Sequence, residues 1–456
     1  MNLRALCELA VFCCLCPLLA GAQEDLRALL VANGGGALTA SVTSSTIDEA
    51  AIGDAARQQR RRGEAFFNTA FVAAPSAAVL RDGLGPLFNA AACDNCHGRQ
   101  GRREFASEGE PLPVTQVLQL SQRDVNGNWR AHRSYGENLN PAATGGVPAE
   151  GWASVSWEAE AGEYGDKTPW VRYRPRLSLH ELAYGALLGE DVVWSLRTAQ
   201  PLFGMGLLES VDEAEILAFA DPDDSDGDGI SGRVNRIGDS ASPMIGRFGW
   251  KANHASLRNQ ISSALINEQG VTSSDHPRQN CAPAQSQCVN AVDGGRPEIA
   301  DPDLAAIVQF VRLLPVPVRR NLQDRRVAEG AALFVEAACD RCHRPEMTTA
   351  SGGLAPLSVQ VIYPFTDLLL HDMGEGLADQ RPDQGASGSE WRTAALWGLG
   401  QAELQGSPPC YLHDCRARSL AEAILWHGGE ASPSANHFLS LSQIQREAIL
   451  AFLRSL

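Results

Sequence analysis

Two five-residue stretches constrain this 456-residue chain more than anything else in it. They are Cys93-Asp94-Asn95-Cys96-His97 and Cys339-Asp340-Arg341-Cys342-His343. The cysteines of a Cys-x-x-Cys-His run can form thioethers to the two vinyl groups of one haem, and the histidine that follows supplies the proximal imidazole. The flanks repeat too. Leu87-Phe88-Asn89-Ala90-Ala91-Ala92 leads into the first copy and Leu333-Phe334-Val335-Glu336-Ala337-Ala338 into the second. An internal repeat of this kind implies two related units. A zinc site would want four ligands in compact clusters, and neither motif has a second Cys/His pair nearby. A thioredoxin-type redox pair needs no following histidine. The motifs therefore predict two covalently bound haem c groups, attached at Cys93, Cys96, Cys339 and Cys342, with His97 and His343 as proximal iron ligands.

The chain opens as an exported one does. Arg4 is followed by an apolar run from Ala5 to Leu19, broken only by Glu8, and by the small residues Ala20-Gly21-Ala22. This predicts a signal peptide over 1–22 and a periplasmic or otherwise exported protein. No later run is long enough to span a bilayer. The net charge of −16 argues against nucleic acid or an anionic membrane as partner. It suits a small basic electron-donor protein of the cytochrome or cupredoxin type. Once the signal and haem cysteines are set aside, Cys281, Cys288, Cys410 and Cys415 remain as two local pairs. In an oxidising compartment they predict two loop-closing disulfides, with free thiols or cross-pairing as the alternatives.

The predicted fold is mainly α, with two cytochrome c-like haem domains. A flexible lead covers 23–56. The first domain covers 57–275, opens on a helix over 57–72, and carries a loop-rich, partly β insertion over 98–170. Apolar spacing at Leu179, Leu182, Ala183, Leu187 and Leu188 then suggests a return to helix over 177–219. A Pro/Gly/Asn/Cys-rich linker spans 276–302. The second domain, 303–456, has helices from Asp301 to Leu314, Val327 to Ala338, Ser419 to Trp426 and Leu441 to Leu453. Ser256-Leu257-Arg258-Asn259-Gln260-Ile261 parallels Ser419-Leu420-Ala421-Glu422-Ala423-Ile424, each opening on a serine cap downstream of its haem motif.

Between the two motifs lies the loop Asp221 to Asn235. Asp224, Asp226 and Asp228, followed by Gly229, match the front half of a calcium loop. Asn235 stands where the bidentate Glu of such a loop belongs, so a calcium site and a solvated acidic turn both stay open. The sixth position on each iron decides function, because a second protein ligand leaves an electron carrier and an open face can bind peroxide. For the second haem, Met373 is the leading candidate and His371 its rival, since both share a face if the chain is extended there. For the first haem, Met205, His132, His180 and His254 are available and none stands out, which points to an open iron.

Several segments resemble the bacterial di-haem oxidoreductase family, labelled peroxidases and sometimes thiol oxidoreductases. They are Asp82-Gly83-Leu84-Gly85-Pro86-Leu87-Phe88-Asn89-Ala90, Gly146-Val147-Pro148-Ala149-Glu150-Gly151, Gly206-Leu207-Leu208-Glu209, Asp226-Gly227-Asp228-Gly229-Ile230-Ser231-Gly232-Arg233, Gly246-Arg247-Phe248-Gly249-Trp250-Lys251-Ala252, Asp367-Leu368-Leu369-Leu370-His371-Asp372-Met373-Gly374, Leu412 to Leu420, and Trp426-His427-Gly428-Gly429-Glu430. The resemblance covers about residues 60 to 456. More distantly the chain is similar to di-haem cytochrome c peroxidases and the methylamine-utilisation di-haem enzyme. Cys415 stands where the family pattern has glycine, a departure that fits a disulfide with Cys410. The resemblance implies Gln260 and Glu209 as distal acid/base residues. Trp250 and Trp397 are candidates for electron relays between the haems, with ordinary core packing as the alternative. Thioether formation would consume both Cys-x-x-Cys pairs, which fits poorly with thiol exchange. The expected function is an exported di-haem c oxidoreductase of peroxidase type. It would take electrons at one haem and reduce peroxide, or oxidise a partner, at the other. A non-enzymatic electron-transfer cytochrome is the alternative.

Overall fold

The computed structural model describes residues 29–40, 52–98, 104–187, 191–239, 241–401 and 409–456. The expected signal peptide and most of the expected lead lie outside the described residues. Six helices matter for the sites: α1 (Asp54–Asn68), α2 (Leu257–Glu268), α3 (Asp301–Arg312), α4 (Arg325–Glu336), α5 (Leu420–Leu425) and α6 (Gln443–Ser455). Helix α1 packs on α3, and α4 packs on α6.

The two helix pairs are built alike. A Cβ at Gly63 of α1 would lie 1.8 Å from the Ala306 carbonyl oxygen of α3, and one at Gly330 of α4 would lie 1.9 Å from that of Ala448 in α6. Only glycine permits backbones to approach that closely. Four residues further along each helix, one turn on, stands a buried phenylalanine, Phe67 and Phe334. Each pair carries its own apolar core. Phe67, Phe310, Ile307 and Val311 belong to one cluster, and Phe334, Phe365, Ile449 and Phe452 to another. The repeat read in the haem motifs thus extends to the helices that support them. Ser256 and Ser419 also act alike, each accepting a hydrogen bond from a backbone N–H three residues on, at 3.2 and 3.1 Å.

The expectation of a mainly α chain is overturned. The protein is a mixed α and β structure with several small sheets, and helical cytochrome c-like domains do not describe it. Much of the difference lies between residues 116 and 198. Strand β1 (Gln116–Arg123) pairs antiparallel along its length with β4 (Val192–Thr198), from Gln116 opposite Thr198 to Gln122 opposite Val192. Between them, β2 (Trp152–Glu163) and β3 (Pro169–His180) form a long hairpin. The helix expected from residue 177 is therefore strand as far as His180 and again from Val192, and helix returns only at Met205–Ser210 and Glu213–Phe219. The leucine spacing there fits two periods. Leu177 and Leu179 alternate with Arg176, Ser178 and His180, and pairing across the hairpin selects the period of two.

The hairpin also reaches the second apolar core. Tyr173 of β3 donates its backbone N–H to Glu422 of α5 at 2.8 Å, and the Arg172 guanidinium lies 4.2 Å from the centre of the Trp426 ring just past that helix. Disulfides join Cys281 to Cys288 and Cys410 to Cys415, within each local pair. No helix among the described residues is long and apolar enough to cross a membrane.

Candidate haem sites

The first motif forms a short helix, Cys93–His97, beside α1. His97 donates its Nδ1–H to the Gln200 carbonyl at 3.1 Å, which fixes the tautomer and leaves Nε2 as the free lone pair. Withdrawal from water pushes its pKa down to about 4, so the ring is neutral and able to bind a metal. The Phe67 ring lies 6.4 Å away. In the second motif, Cys339–Arg341 form a 3-10 turn. His343 donates Nδ1–H to the Phe365 carbonyl at 3.0 Å, burial again lowers its pKa to about 4, and the Phe334 ring lies 6.4 Å away. Burial raises the pKa of the Cys93, Cys96 and Cys339 thiols, which disfavours the thiolate that disulfide exchange needs.

The surroundings of the two histidines differ. Around His97 opens a cavity walled by Cys93, Cys96, Phe67, Thr198, Gln200, Met205, Trp250, His254, Ile307, Val311 and one face of α2. That face presents Leu257, Gln260, Ile261, Ala264, Leu265 and Glu268, a helical stripe in which only Gln260 and Glu268 are polar. Gln260 has a buried Oε1 with no hydrogen-bond partner among the described residues. Glu268 has its pKa pushed up to about 7 by burial alone. His254, in the same wall, is neutral, lowered to about 4 by burial.

Beside His343 stands a second imidazole. The His427 ring centre is 6.5 Å from that of His343, with planes 47° apart. Two imidazoles on one metal, each about 2 Å from it, have centres roughly 6 Å apart. His427 donates Nδ1–H to Ala423 at 2.8 Å, leaving Nε2 free as in both motif histidines. The residues present fit two haems: a thiol pair and a correctly tautomerised imidazole at each site, a cavity at the first and an opposed imidazole at the second.

Other predicted residues are placed as follows. Gln260 is in the first cavity wall. Glu209 is not; its Oε1 accepts the Leu257 N–H at 2.9 Å and its Oε2 pairs with Arg312 at 2.7 Å, so it ties the start of α2 to α3. His371 has both ring nitrogens engaged, Nε2 with Asp367 and Nδ1 with Glu430, each at 2.8 Å. Burial alone would lower its pKa, but those carboxylates and the Cys342 sulfur hold it well above the usual histidine value, as an imidazolium with no lone pair for iron. Met373 sits just before the short helix Gly374–Leu377, packed against the second core cluster. Trp250 lines the first cavity and also packs against the second core cluster, with its indole N–H on the Thr198 carbonyl at 2.8 Å. Trp397 is buried in the first core cluster. In the acidic loop, Asp224 and Asp226 converge with Asp221 rather than with Asp228, and Asp228 lies 3.7 Å from Arg341 of the second motif.

The family is decided by sequence comparison. The model of the family described as "Di-haem oxidoreductase, putative peroxidase" matches residues 32–118 and 172–456. The chain belongs to that di-haem oxidoreductase family. Among curated proteins, none matches it. As a family member it is a haem-binding oxidoreductase, and the match spans both motifs together with α2, α5 and His427. Sequence reasoning missed Glu268 and His427. The first was legible as the second polar residue on the Gln260 stripe. The second was within the quoted C-terminal segment, but nothing local distinguishes it from a core histidine.

Proposed function

We propose that this protein is an exported peroxidase with two covalently attached haem c groups. It would accept electrons at the second site and reduce hydrogen peroxide at the first. The observation that carries the proposal is the asymmetry of the histidines: His427 lies beside His343, ring centres 6.5 Å apart, whereas the cavity beside His97 holds Gln260 and Glu268. Haem supplies the redox chemistry when bound. The chain supplies position and protons. Glu268, poised near neutrality, takes a proton from one peroxide oxygen and returns it to the other, and Gln260 orients the molecule. His97, held by Gln200, and His343, held by Phe365, keep the imidazole orientation fixed at each site.

Between the sites, Trp250 bridges the first cavity and the second core. Trp391, buried in the second core cluster, is also an indole, but Lys251 Nζ lies 4.4 Å and the Arg197 guanidinium 4.8 Å from its ring centre. Cations over an indole oppose removal of an electron, so Trp250 is the better relay. Two disulfides and the sequence of residues 1–22 support export, and the net charge of −16 supports a basic donor protein. A second reading, electron carriage alone, rests on Met205 and His254 in the first cavity wall, either of which would close that site by ligation. Adding peroxide or cyanide to the haem-loaded protein tests the choice. A spectral response from one haem supports the peroxidase; two unresponsive haems support the carrier.

A further inference from the structure

The first cavity adjoins a second and larger one. Gln119, Asn253, His254, Gln260, Ala264 and Glu268 line both. The second chamber measures about 800 Å³. Hydrogen peroxide needs the room of one or two waters, about 30 Å³ each. Spaces of roughly 300–1,000 Å³ are those that hold a whole organic ligand.

The wall of the chamber has a distinct chemistry. Carboxamide side chains outnumber every other kind, and apart from histidines it has no aromatic ring. Each carboxamide offers donors and an acceptor without charge. Asn138, Gln260, Gln279 and Asn280 each carry a buried side-chain oxygen with no hydrogen-bond partner among the described residues. Two of the charged wall residues are compensated across ion pairs: Arg381 pairs with Asp383 at 3.0 Å, and Asp275 with Arg258 at 2.9 Å, while Arg133, Glu137 and Glu268 also line the wall. With many carboxamides offering paired donors and acceptors, such a wall suits a molecule rich in hydroxyl groups. One side of it, from Ala131 to Asn138, comes from residues 119–171, which lie between the two blocks matched by the family.

We propose that the chamber binds a neutral carbohydrate and presents one of its alcohol carbons to the first haem site. The proposal rests on the peroxidase reading for its chemistry. In the reaction the alcohol loses its C–H and O–H hydrogens with two electrons, the peroxide O–O bond breaks, and the products are one carbonyl and two waters.

Calorimetry on the haem-loaded protein with maltotriose, cellotriose and xylotriose, and with triglycine as the amide control, tests the binding directly. At least one trisaccharide should bind. Asn280→Leu, which removes a wall carboxamide, and Ser263→Phe, which fills the chamber from α2, should each weaken it by about tenfold or more, a loss of about 1.4 kcal/mol. The bound sugar should also slow cyanide entry to the first haem. No heat from any trisaccharide, or triglycine binding as tightly, overturns the proposal. Peroxide response of the sugar-free protein is read separately. If peroxide is reduced and no sugar binds, the chamber proposal alone fails. If sugar binds and peroxide is ignored, the peroxidase reading fails and the chamber stands as a binding site.

Discussion

The two haem sites start from the same parts and end differently. Each has a Cys-x-x-Cys-His run, an imidazole hydrogen-bonded to a backbone carbonyl, and a phenylalanine ring 6.4 Å away on a helix whose glycine admits a neighbouring backbone. On the first, α2 lays down a stripe ending in Glu268 and leaves a cavity. On the second, α5 ends within two residues of His427, and the imidazole lies against His343. Both helices begin at the same serine cap. On the proposed reading, duplication preserved attachment and proximal ligation, while the downstream helix decided whether a site stays open.

The largest effect should come from removing attachment. Cys93→Ala/Cys96→Ala and Cys339→Ala/Cys342→Ala should each lower the mass of the mature protein by one haem and halve the Soret band; loss of both haems from either variant would contradict independent sites. Next is His427→Ala. It should convert the second haem into one that binds cyanide, so that both haems respond where one did. An unchanged titration would remove His427 from the iron and return Met373 to consideration.

The distal residues should come third. Gln260→Leu and Glu268→Gln should slow the reaction with peroxide by about 10²–10⁴-fold, the usual worth of a positioned acid/base. Glu268 has its pKa raised to about 7, so its carboxylate is present above that pH and lost below it. A carboxylate that accepts the peroxide proton gives a rate that falls as the pH drops through 7. Glu268→Gln should flatten that profile, which stopped-flow mixing over pH 5 to 9 reads directly. The smallest effects should follow Gly63→Ala and Gly330→Ala. Overpacking of this kind costs about 1–3 kcal/mol, so both should lower the denaturant midpoint with the haems retained. A much larger loss at one position alone would show that the helix pairs are not equivalent.

Much of this was legible in the sequence, for identifiable reasons. Covalent chemistry writes itself into spacing, so the haem motifs and the local cysteine pairs could be read without a fold. Serine caps are local too, and Ser256 and Ser419 behave as their positions indicate. The fold class was not legible in the same way. Leu177 and Leu179 suit either period, and only the partner strand, far along the chain, selects strand. His371 looked like a ligand because of its neighbours in sequence. Asp367 and Glu430, four and fifty-nine positions away, show why its lone pair is not free. Opposition between His343 and His427 is likewise a property of distance in space alone.

In the proposed protein one iron has two protein imidazoles and the other an open face. An electron paramagnetic resonance spectrum of the resting, haem-loaded protein with both irons ferric addresses this directly. The expected result is equal amounts of a low-spin signal of bis-imidazole type, which disappears in His427→Ala, and a high-spin signal, which peroxide or cyanide consumes. Two low-spin signals that neither reagent alters would contradict it.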